Sequence, residues 1–193
     1  MLAILSSVVT SVAQPLRYEA EEPEQVVWQY LDEEFAKAAE SPDFWRKVWF
    51  HREVDRSDVR LGKPFKAYNM PPENLEAFLS SGDLLAASIL VYVSYPVFDR
   101  TELIGTVQVA ESGGRWGLVS HMRGSPTDKM AVALGENAES VSIVGGSRLP
   151  AFILVVAPHS ADMRAYPLGQ PDSEFVEKAD QTCYQWWVRT SPA

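Results

Sequence analysis

The sequence predicts a single α+β domain in which helices pack on one face of a mainly antiparallel, twisted sheet, in a cystatin-like or similar arrangement. Three observations predict this class. A nearly unbroken apolar run spans residues 84–98, two shorter apolar runs follow on either side of Gly113-Gly114, and an amphipathic pattern covers residues 24–40. Apolar runs around a Gly-Gly turn are typical of a β-hairpin, and a strand that is apolar on both faces is usually buried on both. We therefore expect the other elements to surround this central run of strands.

The first element is the amphipathic helix. Pro23 suits the first helical turn, and Val27, Leu31 and Phe35 recur at i, i+4 and i+8, which predicts one apolar stripe on a helix over residues 24–40. The remaining surface of this helix is expected to face water, and it carries Asp32, Glu33, Glu34 and Lys37. Glu33 and Lys37 have the i, i+4 spacing of a surface ion pair.

Three short elements and a connection are predicted before the centre. Ser41-Pro42 supplies an N-cap and a proline for a helix that runs to about Trp49. The charged segment from His51 to Arg60 is expected to be a loop or an edge strand. Leu61–Tyr68 predicts a strand in which Pro64 marks an edge or a strand start, because proline has no N–H for the ladder. Pro71-Pro72 then opens a short helix that buries Leu75, Phe78 and Leu79.

After the centre the pattern alternates again. We predict a short helix within Met122–Ala138, a strand at Ser140–Val144, and an apolar strand at Ala151–Ala157 that has Met163–Leu168 as its hairpin partner. A C-terminal helix is expected from about residue 172 to 188. The chain contains no internal repeat and no linker, which favours one domain over residues 14–193.

Charge and hydropathy exclude some classes of function. The net charge is −9, from 26 acidic and 17 basic residues, and the bases form no stripe, so nucleic acid is not an expected partner. No run of 18 apolar residues occurs, and no transmembrane segment is expected. No phosphate-binding glycine motif or cofactor motif is present, and no cofactor is expected.

The first 13 residues predict export. They carry no charged side chain and end in Ser11-Val12-Ala13, a small-x-small pattern typical of signal-peptide cleavage. We therefore interpret residues 1–13 as a signal peptide and expect a periplasmic or extracellular protein. The first cationic side chain is Arg17, so the basic start of such a leader is missing and a cytoplasmic location is the alternative.

Four of these features together resemble a group of bacterial exported α+β proteins of unknown function. They are the leader, the helix from Trp28 to Phe35, the Leu61-Gly62-Lys63-Pro64-Phe65 strand and the Gly113-Gly114-Arg115-Trp116 hairpin. The resemblance implies an envelope or extracellular setting and a helix packed on an antiparallel sheet. It implies no catalytic residues.

Residues capable of chemistry are few. His51, His121 and His159 each lie near the end of a predicted strand, where imidazoles from different strands can converge on a transition metal, yet no metal-binding spacing joins them. Cys183 is the sole cysteine and lies on the apolar side of the predicted C-terminal helix, which favours a buried thiol over a nucleophile. A hydrolase or metal-dependent enzyme that uses these residues is therefore an alternative hypothesis only.

The six tryptophans suggest a different use. Most are expected in the core, but two adjacent tryptophans on one helix cannot both point inward, which indicates an aromatic groove. Its predicted lining is Trp45, Trp49, Trp186 and Trp187. The leading interpretation is therefore an exported, non-enzymatic binding or accessory module for a peptide, glycan or apolar ligand. A structural partner of another envelope protein is the other alternative.

Overall fold

The computed structural model describes residues 17–41, 53–81, 83–146, 149–158 and 163–168. Three α-helices lie in these ranges: α1 (Pro23–Glu40), α2 (Leu75–Ser81) and α3 (Pro126–Gly135). The strands are β1 (Arg17–Ala20), β2 (Val59–Leu61), β3 (Phe65–Asn69), β4 (Ile89–Asp99), β5 (Glu102–Ser112), β6 (Arg115–Met122), β7 (Ser140–Gly146), β8 (Leu149–Val156) and β9 (Met163–Pro167).

The strands form one sheet, and this confirms the α+β class. Their order is β1-β6-β5-β4-β3-β7-β8-β9, and β2 pairs with β4 on the same side as β3. Every pairing is antiparallel except β3 with β7, which is parallel. The sheet is therefore mixed but mainly antiparallel, as predicted.

Helices cover both faces of the sheet, whereas the sequence predicted one. Val27 and Leu31 of α1 form a core with Val93 of β4 and its neighbours. Phe65 pairs with Ser94, the residue after Val93 in β4. The Phe65 side chain therefore lies on the face of the sheet opposite to Val93, where it packs with α3. We call the two sides the α1 face and the α3 face; α2 lies on the α1 face, over Val144 and Leu154.

Helix α1 forms where its stripe predicted. Pro23 and Glu24 lie in its first turn and Lys37 lies in its last turn. The negative charge of Glu24 and the positive charge of Lys37 both oppose the helix dipole. Val27 and Leu31 are fully buried, and Lys37 Nζ lies 2.6 Å from Glu33 Oε1, as the spacing predicted.

The prediction that Glu34 faces water is wrong. Its side chain is buried, because position 34 follows Tyr30 by four residues and Leu31 by three, on the side of α1 that meets the sheet. Lys37 Nζ lies 2.9 Å from Glu34 Oε1 and partly neutralises the buried carboxylate. The hydrogen bonds from Glu33 and then Glu34 raise the pKa of the Lys37 ammonium above its ordinary value.

The central apolar run is strand for only part of its length. Residues 84–88 form a turn whose Leu84 and Ala87 are buried under α2, and β4 begins at Ile89. Ile89 and Val91 are exposed, so only residues 93–98 are buried on both faces. The predicted hairpin is confirmed: Gly113 and Gly114 have φ of 62° and 80° between β5 and β6, a geometry that two-residue turns require.

Three predicted segments lie outside the described residues: the leader over 1–13, the helix that ends near Trp49, and the C-terminal helix. The short helices at 75–81 and 126–135 and the β8–β9 hairpin are confirmed. The prediction that Leu79 is buried is wrong: Phe78 faces the core and Leu79 is exposed. Among the helices in the described ranges, none has the length and hydropathy needed to cross a bilayer.

Candidate functional site

An interruption in the sheet creates the candidate site. Strand β2 ends at Leu61 and β3 begins at Phe65, so residues 62–64 run beside β4 without ladder pairing. The Gly62 N–H donates a 2.8 Å hydrogen bond to the Pro96 carbonyl. In an antiparallel strand, the backbone nitrogen and carbonyl of one residue point toward the same neighbouring strand. The Pro96 nitrogen, which has no hydrogen, therefore also faces the interruption. Proline is tolerated in this interior strand because the ladder is already broken there.

A cavity of about 400 Å³ opens at this interruption, between β4 and α3. This volume lies within the range of small-molecule sites. Its apolar lining comes from strand residues and from α3: Pro64, Phe65, Pro96, Phe98, Ala131, Val132 and Val141. Arg60, Lys63, Thr101 and Glu136 supply the polar part. The lining thus combines an apolar interior with a few charged groups.

Gly62 is needed for this arrangement. A β-carbon at position 62 would lie 2.5 Å from Phe98 Cε2, closer than such atoms approach in folded proteins, and 3.2 Å from Pro96 Cβ, which is a tight contact. The absent side chain therefore lets the Phe98 ring form a wall of the cavity.

Two exposed cations line the cavity, and each donates a hydrogen bond to a backbone carbonyl. The Arg60 guanidinium lies over the Phe98 ring at 4.2 Å, and Arg60 Nε donates to the Arg100 carbonyl at 2.7 Å. Lys63 Nζ donates to the carbonyl of Ala138, just beyond α3. Within the described part of the chain, neither cation forms an ion pair with a carboxylate.

Helix α3 is held over the sheet by a capping box. Ser125 Oγ accepts from the Asp128 N–H at 3.1 Å, and Asp128 Oδ2 accepts from the Ser125 N–H at 3.0 Å. The Thr106 hydroxyl also lies 3.4 Å from Asp128 Oδ2, which joins the helix start to β5. These contacts fix the start of the helix whose far end lines the cavity.

Beside this cap, the α3 face carries a layer of buried polar side chains. Ser120 Oγ donates to Gln108 Oε1 at 2.6 Å. Burial, followed by the charge of Asp128, raises the pKa of the Tyr92 phenol, although a hydrogen bond with Gln108 opposes the shift. Ser94 Oγ is buried and has no hydrogen-bond partner among the described residues.

A second cavity, of about 540 Å³, is acidic. Glu53, Asp55, Asp58 and Asp99 line it with Val54 and Arg100. Arg100 Nη2 lies 2.7 Å from Asp58 Oδ2, and this contact raises the pKa of the guanidinium. The Ser57 hydroxyl, and then its backbone N–H, lowers the pKa of Asp55. Among the described residues, no group of three or more His, Cys, Asp or Glu side chains has a metal-binding arrangement.

His121 lies on the α1 face, away from the cavity. Its ring stacks on Tyr30 of α1 with centroids 5.3 Å apart and planes 17° from parallel. Burial lowers the pKa of the imidazole, and the charge of Glu34 opposes the shift in part. The other predicted metal ligands, His51 and His159, lie outside the described residues.

The predicted aromatic groove also lies outside the described residues, since Trp45, Trp49, Trp186 and Trp187 are all in undescribed segments, as is Cys183. Trp28 and Trp116 are half-buried and pack against the α1 core, and Arg56 lies over the Trp28 ring at 4.2 Å.

Sequence reasoning missed Arg60 and Lys63 as site residues. Lys63 was assigned to a continuous strand, and Arg60 to a charged loop or edge strand. The signal that could have found them is the pair of prolines, Pro64 and Pro96, because two prolines in adjacent strands of one sheet require a local break in pairing.

Comparisons with known proteins identify no relative: no protein-family profile, characterised protein or solved structure matches the chain significantly.

Proposed function

We propose that this chain is a non-enzymatic binding module, and that its site is the cavity between residues 62–64, β4 and α3. The observation that carries the proposal is a preformed cavity of about 400 Å³ with an apolar interior and two positioned cations. A concave, mainly apolar site with a few oriented polar groups is the usual form of a small-ligand site.

The lining supports binding rather than catalysis. Among its described residues, Thr101 is the hydroxyl-bearing side chain, and neither His nor Cys accompanies it as a base or nucleophile. Glu136 is exposed and follows the end of α3.

Two further features belong to this proposal. A cystatin-like arrangement is supported by α1, which packs across β4, β5 and β6. Export is supported by the uncharged apolar pattern of residues 1–13. An exported module of this kind would capture its ligand, or present it to another envelope protein, outside the cytoplasm.

A blocked-cavity variant tests the proposed function. Val132 lines the cavity and is half-buried, so Val132→Trp should fill the space. Screening small amphipathic compounds against the isotope-labelled full chain by NMR should give shifts at cavity residues that the variant loses. Val119→Trp is the control, because Val119 is exposed on β6 and does not line the cavity. Compounds that bind both variants equally, or no compound that binds at millimolar concentration, would reject the cavity as the site.

A further inference from the structure

We propose that the ligand of this cavity is an organic carboxylate with an apolar body, and that Arg60 and Lys63 bind its carboxylate. This inference rests on the proposed function and adds the chemical class of the ligand.

Arg60 is positioned to bind a carboxylate with two hydrogen bonds. Its Nε is committed to the Arg100 carbonyl, and its plane is held over the Phe98 ring. Nη1 and Nη2 form the other edge of the guanidinium. Neither atom donates a hydrogen bond to a described residue, so this edge is open to a ligand. A planar guanidinium fixed at one edge and one face presents two parallel N–H donors, which match the two oxygens of a carboxylate.

Lys63 supplies a second cation, from within the interruption. Its Nζ reaches from residues 62–64 to the Ala138 carbonyl and is held there. An ammonium has three donors, so two remain for a ligand. Both cations therefore have unused donors, and each is anchored by one hydrogen bond to a backbone carbonyl.

The charges of the cavity lining favour an anionic ligand. The chain carries a net charge of −9, yet in the described ranges no carboxylate pairs with Arg60 or Lys63. Glu136 is the acidic residue of the lining; Arg60, Lys63 and Glu136 are all exposed, so water and salt weaken the field of each. The lining thus has two cations and one acid, which favours an anion over a cation.

The remaining lining specifies the body of the ligand. Phe65, Pro96 and Phe98 are buried and apolar, and Val132 faces them from α3. These groups provide no hydrogen-bonding side chains, so the part of the ligand beyond its carboxylate is apolar. A free inorganic anion would leave this interior unfilled.

Three compounds with one tail test the class of ligand. Octanoate, octanol and octylammonium would each be titrated into the full chain by calorimetry at low salt, below the concentrations at which they aggregate. Octanoate should bind roughly tenfold or more tightly than octanol, as expected for hydrogen bonds to a charged group, and octylammonium more weakly than either.

Charge-removing variants then separate the carboxylate contact from the cavity. Arg60→Gln and Lys63→Gln should each reduce octanoate affinity several-fold and leave octanol affinity unchanged. Lys66→Gln is the matched control, because Lys66 is an exposed lysine of β3 whose position in the strand places it on the α1 face. Val132→Trp should abolish binding of all compounds.

The outcomes distinguish the two proposals. If octanol and octanoate bind equally and neither Arg60→Gln nor Lys63→Gln changes this, the carboxylate inference is wrong while the cavity remains the binding site. If Val132→Trp leaves octanoate binding intact, both the inference and the proposed function are wrong. Equal losses in Lys66→Gln and Arg60→Gln would indicate a general charge effect and would also overturn the inference.

Discussion

Replacing Gly62 by alanine should destabilise the protein through one identifiable contact. The new β-carbon would lie 2.5 Å from Phe98 Cε2, so the ring must retreat by roughly 0.9 Å to reach 3.4 Å, where ordinary van der Waals contact begins. Arg60 lies over the ring at 4.2 Å, so a retreat of the ring also disturbs the guanidinium that packs on it. Overpacking of this kind costs about 1–3 kcal/mol in free energy of unfolding.

Urea denaturation measures this loss, and Gly145→Ala provides the control. A β-carbon at position 145 would lie 3.4 Å from Ala151 Cβ, which is ordinary contact. That substitution should be neutral or stabilising by up to about 1 kcal/mol, because alanine restricts the unfolded chain. In a chain of this size each kcal/mol shifts Tm by about 2–4 °C, so thermal melting should rank the two variants in the same order. Equal stability of both variants would refute the steric argument.

Three further predictions concern the core, the polar layer and His121. Leu31→Ala should cost about 2–5 kcal/mol in urea denaturation, because Leu31 is fully buried. Ser94→Ala should be neutral or stabilising, because it removes a buried hydroxyl that has no hydrogen-bond partner in the described chain. Ser125→Ala should instead cost about 1 kcal/mol in free energy of unfolding, because it removes the N-cap of α3. His121→Phe should gain stability relative to wild type as pH falls from about 7.5 to about 5.5, where a histidine ordinarily takes up its proton.

The sign of the His121 effect follows from burial. Because burial lowers the pKa of His121, the unfolded chain binds the proton first, and the wild type loses stability as pH falls through the range between the two pKa values. Phenylalanine retains the stack on Tyr30 but binds no proton. A stability difference between wild type and variant that does not change with pH would contradict this account. For the serine pair, the contradicting result is a larger loss from Ser94→Ala than from Ser125→Ala.

Local patterns predicted most of the secondary structure. The i, i+4, i+8 spacing of Val27, Leu31 and Phe35 located α1, and Gly113-Gly114 located the β5–β6 hairpin. Both features are set by residues close together in the chain, where periodicity and turn chemistry act directly. Glu34 was misassigned because charge alone placed it in water, although its angular position puts it beside Tyr30.

Long-range pairing and the site could not be predicted in the same way. The parallel pairing of Lys66 with Ser142 joins segments 76 residues apart, and no local pattern specifies that partner. Because Phe65 was not known to lie beside α3, the second helical layer was missed. The cavity depends on this layer and on the broken pairing between β2 and β3, so its lining residues could not be assembled from the sequence.

The parallel pairing also joins two parts of the chain, one that ends with β6 and one that begins with α3. The β5–β6 hairpin closes over a two-residue turn. Joining β3 to β7 closes a much larger loop, which costs more conformational entropy and is expected to be slower. The cavity draws Phe65 and Phe98 from the first part and Val132 and Val141 from the second. A ligand of the proposed site would therefore contact both parts and would stabilise only the assembled chain, by an amount that grows with ligand concentration. Occupancy of the proposed site and completion of folding would then be linked equilibria.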